Sequence, residues 1–208
     1  MAPPVFTGSA GWNRLLTFTK SRNGVMDVKG IAKNVYWSAY GKTICNPVLP
    51  EKINSVLFIC LGNICRSPFA EKFAAVNYKD PWDLDFSSAG IIGEFSRPSP
   101  IEAIEAAKCY GIDLNGHLSR KLDNKMVEYF DIILVMDVWQ YNYMYKTHRE
   151  IKNKIFLLPL YENSPVKLKD KYSVYNIKDP YGKSISDFTE CYNRIVFCLS
   201  GFMQRIKP

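Results

Sequence analysis

A short apolar run that passes directly into a tight loop and a helix start is the feature that most restricts the fold. Residues 55–60, Ser-Val-Leu-Phe-Ile-Cys, have the length and composition of a buried strand. Gly62 and Asn63 follow, and both residue types tolerate the left-handed backbone conformation of a tight loop. Ser67 and Pro68 then predict a helix that opens there, with Ser67 as its N-cap. This succession is typical of α/β proteins with a parallel sheet.

The chain from residue 54 onward continues to alternate short apolar runs with longer amphipathic stretches. Further strands are predicted at residues 84–88, 131–136 and 154–158, and a helix at residues 100–110. A last helix is predicted from apolar residues at three- and four-residue steps between Phe188 and Ile206, with Ser184 and Asp187 as a capping box. We therefore expect an α/β fold with a doubly wound, mainly parallel four-stranded sheet, helices on both faces, and an additional N-terminal arm.

Charge divides the 208-residue chain into two parts. The whole chain holds 27 basic and 20 acidic residues, for a net charge of +7. Residues 1–50 hold six basic residues and one acid, or +5, which leaves 21 basic and 19 acidic residues, or +2, in residues 51–208. We predict a basic, aromatic extension over residues 1–50, which docks a partner or packs on the domain, and one folded domain over residues 51–208. Nucleic acid is not an expected partner, since only the charge of the extension supports it.

Membrane and metal partners are also not expected. No apolar run approaches the roughly 18 to 20 residues that span a bilayer, and the N-terminus lacks a secretory signal, so we expect a cytoplasmic protein without membrane insertion. Cys60 and Cys65 have no second ligand pair at a useful spacing, and His117 and His148 stand apart from each other and from any cysteine. We expect no metal and no cofactor, and the sequence favours no particular oligomeric state.

The loop after the first strand combines a nucleophile with an anion site. Cys60 ends the strand, and Arg66 follows where the helix begins. Backbone amides of a curled loop and of a helix N-terminus attract an anion, and the planar guanidinium of arginine binds two phosphate oxygens at once. Cysteine reacts as the thiolate, which hydrogen bonds from loop amides and from the Ser67 hydroxyl would stabilise. Cys60 is therefore predicted to attack the phosphorus of a bound phosphoryl group.

A proton donor for the leaving group is predicted further along the chain. An aryl oxygen departs poorly as an anion, so such a reaction needs a general acid. Asp179 precedes Pro180 in a loop after the fourth strand. Ligands bind at the strand C-termini of doubly wound sheets, where Cys60 also lies. Asp179 is the predicted acid.

These residues together resemble a known family. The stretch from Cys60 to Ser67, the later Ser88-Ala89-Gly90, residues 131–137 and Asp179-Pro180-Tyr181 are similar to those of low molecular weight protein tyrosine phosphatases. The resemblance covers about residues 54–206. It implies a phosphotyrosine-containing protein as substrate and a phosphocysteine intermediate on Cys60. Arg66 would bind the phosphate, and Asp179 would act first as acid and then as base. The phosphate-binding loop would comprise Leu61, Gly62, Asn63, Ile64, Cys65 and Ser67 besides Cys60 and Arg66.

The resemblance implies further roles around this loop. Asn63 would hold its shape, and Ser88 and His117 match positions that support it from behind. Tyr181 and Phe95 are the candidate walls of the substrate pocket, although Gly182 stands where the family often has a second aromatic residue.

Cys65 is a candidate redox partner of Cys60. Both cysteines belong to the same short loop. A reversible disulfide between them would protect the nucleophile from irreversible oxidation. The alternative is that Cys65 is only a small buried apolar residue.

Other functions fit the motifs less well. Protein-arginine phosphatases of the same fold resemble Cys-x-Gly-Asn-Thr, and Ile64 at the threonine position favours phosphotyrosine. An arsenate reductase would need a further cysteine pair, but only Cys109 lies between the loop and the last helix. A non-catalytic phosphotyrosine-binding module would not need the Cys60, Arg66 and Asp179 trio. Residues 179–184 also resemble bacterial members that act on polysaccharide-export tyrosine kinases, which suggests such a kinase as substrate.

Overall fold

The computed structural model describes residues 44–80, 83–92, 96–162 and 172–206, and within them it contains one parallel sheet. Its four strands lie in the order β2-β1-β3-β4, which confirms the expected sheet. The strands are β1 Ser55–Cys60, β2 Asp85–Gly90, β3 Ile132–Val135 and β4 Ile155–Leu157. The α-helices of the described ranges are α1 Arg66–Tyr78, α2 Ile101–Lys108, α3 Asn124–Tyr129, α4 Val138–Thr147 and α5 Ile185–Arg205.

Two hydrophobic cores form on opposite faces of the sheet. Every residue of β1 and β3 is buried, and alternate side chains point to opposite faces. Val56 and Phe58 pack with α1, α2 and α5, whereas Leu57 and Ile59 pack with α3 and α4. Helices thus cover both faces, as expected for a doubly wound sheet. Each fully buried large apolar side chain contributes about 1.5 to 3 kcal/mol.

The last helix begins and packs as predicted. The Ser184 hydroxyl accepts from the Asp187 backbone N–H, and the Asp187 carboxylate accepts from the Ser184 backbone N–H, which confirms the capping box. One apolar face of α5 enters the core, with Phe188, Cys191, Tyr192, Ile195, Leu199 and Phe202 buried.

Several element ends differ from the predictions. Helix α1 begins at Arg66 with Cys65 at its N-cap, so the predicted Ser67 cap is wrong: the Ser67 hydroxyl donates to the Cys60 sulfur instead. Strand β2 continues to Gly90, because Ala89 and Gly90 still pair with β1. The other two strands are one residue shorter at each end, and α2 ends at Lys108.

The predicted extension reaches the domain at its C-terminal end. Residues 1–43 lie outside the described residues. Ile44 packs in the core that contains Leu57, and the Tyr141 hydroxyl of α4 donates to the Cys45 carbonyl over 3.1 Å. The Asn46 side chain accepts from the Leu157 N–H at 2.6 Å and donates to the Leu157 carbonyl at 3.2 Å. The division at residue 50 remains a prediction, with residues 44–46 in contact with the domain.

A helix that crosses a bilayer must be both long and apolar. None of the helices in the described ranges combines the two to the degree that crossing a bilayer requires.

Candidate active site

The candidate nucleophile stands at the C-terminal end of the central strand β1. Cys60 is buried, and its Sγ accepts hydrogen bonds from the Asn63 backbone N–H at 3.2 Å and from the Ser67 hydroxyl at 3.1 Å. Hydrogen bonds to an ionised acceptor contribute about 1.5 to 3 kcal/mol each. These two donors therefore stabilise negative charge that develops on the Cys60 sulfur.

Asn63 organises the loop around this sulfur. Its backbone is left-handed, with φ of 53°, whereas Gly62 does not adopt a positive φ. The Asn63 side-chain NH₂ donates to the Ser67 hydroxyl oxygen at 2.9 Å and to the Ser88 hydroxyl oxygen at 2.8 Å. Its Oδ1 accepts from the Arg120 backbone N–H at 2.8 Å, which fixes the orientation of the amide. Because Ser67 accepts from Asn63, its own proton is available to Cys60.

Both predicted supports behind the loop lie against Asn63. Ser88 contacts the Asn63 amide as described and donates its own proton to the Glu71 carboxylate. His117 Nε2–H donates to the Asn63 carbonyl oxygen over 2.7 Å. Burial lowers the pKa of His117, although this hydrogen bond and the charge of Glu71 oppose the shift. The structure thus connects three buried side chains, those of Ser67, Ser88 and His117, to the Cys60 loop through one asparagine.

Gly90 is the point where β2 meets the loop. The backbone N–H groups of Ile91 and Ile92 donate to the carbonyls of Cys60 and Leu61, so the chain after β2 follows the start of the loop. A Cβ added at Gly90 would stand 2.9 Å from the Asn63 backbone nitrogen. Real Cβ atoms do not approach backbone so closely, hence only glycine fits at this position.

Arg66 is a buried cation with carboxylates on two sides. It is 2% exposed, and its Nη1 donates to Asp137 and to the Ile177 carbonyl, each over 3.0 Å. Its Nη2 donates to Asp179. Burial acts to lower the pKa of Arg66, but the negative charges of Cys60, Asp179 and Asp137 outweigh it, so the pKa is raised and the guanidinium stays charged. The buried Nε makes no hydrogen bond within the described residues, which leaves one donor for a phosphate oxygen.

The predicted acid lies beside this arginine. Asp179 Oδ2 accepts from Arg66, and Asp179 Oδ1 accepts from the Tyr181 backbone N–H at 3.1 Å. The Tyr181 side chain is 56% exposed, and its hydroxyl accepts from Arg97 Nη2 at 3.4 Å. Tyr181 therefore stands at the rim of the site, while Phe95, the other candidate pocket wall, lies outside the described residues.

The remaining loop residues divide between rim and core. Leu61 and Gly62 are half-buried, whereas Ile64 and Cys65 are buried in the core on the α1 side. Neither Cys60 nor Cys65 is joined in a disulfide. Burial raises the pKa of Cys65, and the negative charges of Cys60 and Asp179 raise it further. Cys65 is accordingly a protonated thiol at neutral pH.

Four side chains that the sequence predictions missed complete the site. Asp137 binds Arg66, and Gln140 Nε2 donates to the same Asp137 oxygen over 2.6 Å. Glu71 accepts from Ser88, and Arg120 lies 3.8 Å from Glu71. Asp137 did carry a signal, since it directly follows a buried strand at the ligand-binding edge of the sheet. No pattern in the sequence marks Glu71 or Arg120 as part of the site. Among the described residues no group of three or more His, Cys, Asp or Glu is placed to hold a metal ion.

Comparisons with known proteins agree on one family. A family model described as low molecular weight phosphotyrosine protein phosphatase matches residues 55–208. A protein of that name from Sus scrofa is 32% identical over 161 residues, which are 74% of this chain and 96% of the relative. The low molecular weight protein-tyrosine-phosphatase Ptp of Acinetobacter johnsonii is 30% identical over 155 residues, covering 74% of this chain and 99% of the relative.

A solved structure with the same architecture supports this assignment. The tyrosine phosphatase Wzb of Escherichia coli K30, in complex with sulphate, superposes with a TM-score of 0.65 and 25% sequence identity, over 75% of this chain and all of that chain. The chain therefore belongs to the low molecular weight phosphotyrosine protein phosphatases, which are hydrolases.

Proposed function

We propose that this chain hydrolyses phosphotyrosine in proteins through a phosphocysteine intermediate. Cys60 is the nucleophile, Arg66 binds the transferred phosphoryl group, and Asp179 is the general acid and then the general base. The observation that carries the proposal is the convergence of two donors on the Cys60 sulfur beside a buried arginine that contacts Asp179.

The first step transfers the phosphoryl group to the enzyme. The Cys60 thiolate attacks phosphorus, the bond between phosphorus and the tyrosyl oxygen breaks, and Asp179 protonates the departing oxygen. Arg66 stabilises the negative charge on the equatorial oxygens through Nε and Nη2. In the structure, Nη2 donates to Asp179. A phosphate that binds Arg66 competes with Asp179 for Nη2, so binding moves the carboxyl group from the arginine toward the leaving group.

The second step regenerates the thiolate. Asp179, now ionised, accepts a proton from water as the water oxygen attacks phosphorus. The bond between sulfur and phosphorus breaks, and inorganic phosphate leaves. The Ser67 hydroxyl and the Asn63 N–H, which donate to the sulfur, stabilise Cys60 as a leaving group in this step.

The test compares phosphotyrosine and phosphoarginine as substrates of the native chain, Cys60→Ser and Asp179→Asn. We expect the native chain to prefer phosphotyrosine and Cys60→Ser to be inactive. We expect Asp179→Asn to slow aryl phosphates with poor leaving groups far more than those with good ones, because only a poor leaving group needs the proton. Equal turnover by the native chain and Cys60→Ser would exclude the mechanism, and a preference for phosphoarginine would assign the protein-arginine phosphatase activity instead.

A narrower proposal concerns the physiological substrate. Residues 179–184 resemble those of bacterial members that act on polysaccharide-export tyrosine kinases. A tyrosine-phosphorylated kinase of that class should be retained by Cys60→Ser, which keeps the binding site but lacks the nucleophile. Retention of an unrelated phosphotyrosine protein to the same extent would reject this kinase as a specific substrate.

A further inference from the structure

Helix α4 exposes two stacked aromatic side chains on its outer face. Trp139 is 54% exposed and Tyr143 is 37% exposed, with ring centroids 5.6 Å apart and planes 21° from parallel. Together with Asn142 and Lys146 these rings line a depression of about 280 Å³. Large aromatic side chains gathered around a depression are typical of recognition surfaces.

The inner face of the same helix receives the end of the N-terminal extension. Tyr141 of α4 donates to the Cys45 carbonyl, and Ile44 packs in the core that contains Tyr141 and Met144. The chain therefore joins the domain beside α4 at Ile44 and Cys45. The sequence that comes shortly before this point, residues 36–40, is Tyr-Trp-Ser-Ala-Tyr.

The chain between Ile44 and residues 36–40 is long enough to reach the outer face of α4. An extended chain spans about 3.3 Å per residue, so the four residues from Ile44 back to Tyr40 reach about 13 Å. An α-helix with its side chains is about 10 to 12 Å across. Residues 36–40 can therefore reach the outer face of α4 from its inner face, and covalent attachment gives them a high local concentration there.

Charge distinguishes these residues from the rest of the extension. The depression is lined by Lys146, and α4 carries no acidic residue, so the surface does not attract the basic part of the extension. Residues 36–40 carry no charge and three aromatic rings. Aromatic rings are able to stack on exposed rings such as Trp139 and Tyr143, and the face of a ring attracts an ammonium group such as that of Lys146.

We propose that residues 36–40 of this chain dock on the depression formed by Trp139, Asn142, Tyr143 and Lys146. The docked segment covers the helix whose N-cap, Asp137, binds Arg66. This inference concerns the packing of the extension and does not depend on the proposed reaction.

Photo-crosslinking within the full-length chain tests this proposal. The photoreactive residue p-benzoylphenylalanine replaces Trp139, and in a matched control it replaces Tyr129, which is 65% exposed on α3. After irradiation, mass spectrometry should find position 139 joined within one chain to the tryptic peptide of residues 34–42, at a yield several-fold above that of position 129. Trp37→Ala should remove most of this product, whereas Trp12→Ala should leave it unchanged.

Three outcomes would overturn the proposal. The first is an equal yield from positions 139 and 129. The second is a crosslink to another part of the extension. The third is a product of doubled mass, which would make a second copy of the chain the occupant of the surface. Circular dichroism of each variant establishes that the substituted chains are folded.

Discussion

Arg66 is almost fully buried, and two side chains that take no part in the proposed reaction hold it in one orientation. Asp137 binds one edge of its guanidinium, and Gln140 in turn holds Asp137 through both its backbone N–H and its side chain. The Gln140 Oε1 also accepts from the Met136 backbone N–H at 2.9 Å. The guanidinium is therefore oriented before a phosphate binds, which spares the cost of ordering it during the reaction.

The substitution Gln140→Leu tests this arrangement. We expect stability to fall by about 1 to 3 kcal/mol, because the Met136 N–H loses a buried partner. We also expect the inhibition constant of inorganic phosphate to rise about tenfold, a loss of about 1.4 kcal/mol in binding. Urea unfolding and competitive inhibition measure the two effects.

A second variant separates the two roles of Gln140. Gln140→Glu keeps an acceptor for Met136 but places a like charge against Asp137, so it should lose phosphate affinity. Unchanged phosphate inhibition in both folded variants would contradict a role of Gln140 in orienting Arg66.

Cys65 is the residue to which the redox prediction applies. Hydrogen peroxide would convert the Cys60 thiolate to a sulfenic acid, and attack by Cys65 sulfur would form a disulfide with release of water. Because the pKa of Cys65 is raised, this condensation should be faster at higher pH, where more of Cys65 is ionised. We expect dithiothreitol to restore the peroxide-treated native chain but not Cys65→Ser. Full recovery of Cys65→Ser would contradict the prediction.

The sequence predicts the reacting residues better than those that hold them. Cys60, Arg66 and Asp179 stand in recognisable local patterns, but the contact of Arg66 with Asp137 joins positions 71 residues apart. That contact exists only because β3 pairs directly with β1, and strand order cannot be read from the apolar pattern.

At the scale of elements, strand β2 shapes the loop between Cys60 and Ser67, although the two are separate segments of the chain. Gly90 ends β2 beside the Asn63 backbone, so the strand and the loop share one tightly packed contact. The sequence prediction ended this strand at residue 88. Their pairing with Ile59 and Cys60 extends it. Strand interiors thus follow from composition, whereas strand ends depend on partners.

The substitution Gly90→Ala should displace the phosphate-binding loop. Overpacking of this kind costs about 1 to 3 kcal/mol of stability. We expect kcat/KM to fall even under conditions where the variant is fully folded, because the Asn63 N–H moves away from the Cys60 sulfur. Gly116→Ala is the matched control, since a Cβ there meets nothing within 4 Å. Equal activity in the two alanine variants would refute this role of Gly90.

Helix α5 supplies a pH-dependent contribution to stability. The Ser184 hydroxyl and backbone N–H lower the pKa of Asp187 from its usual 3.8. A lowered pKa stabilises the folded state above about pH 4, where the unfolded aspartate is ionised, and the stabilisation is lost as pH falls through the folded value. The difference in urea midpoint between the native chain and Asp187→Asn should therefore be constant above about pH 4 and shrink below it. A constant difference down to low pH would contradict this origin.

At the scale of the whole molecule, charge composition divides the chain more sharply than packing does. The excess of basic residues ends near residue 50, but Ile44 and Asn46 already contact the domain. The prediction of a separate extension rests on its charge, its aromatic residues and the prolines at positions 47 and 50. It could not include these contacts, because a single isoleucine and asparagine form no pattern.

Two truncations locate the end of the packed region. A chain that lacks residues 1–43 keeps Ile44 and Asn46, so it should lose only the stabilisation that docking of residues 36–40 on α4 contributes. A chain that lacks residues 1–50 should lose about 2 to 4 kcal/mol more, since it also loses a buried isoleucine and the hydrogen bonds of Asn46. Both should hydrolyse small aryl phosphates under conditions where they are folded. Identical unfolding midpoints for the two truncations would contradict this assignment.

The Asn46 side chain has a further consequence, which concerns contacts between molecules. Strand β4 is an outer strand of the sheet, and the exposed edge of a sheet is a template on which a strand of another chain can add. Asn46 occupies both backbone groups of Leu157, so it closes this edge with a side chain in place of a fifth strand. A molecule without Asn46 therefore exposes the edge of β4. It should aggregate at lower protein concentrations than the native chain does.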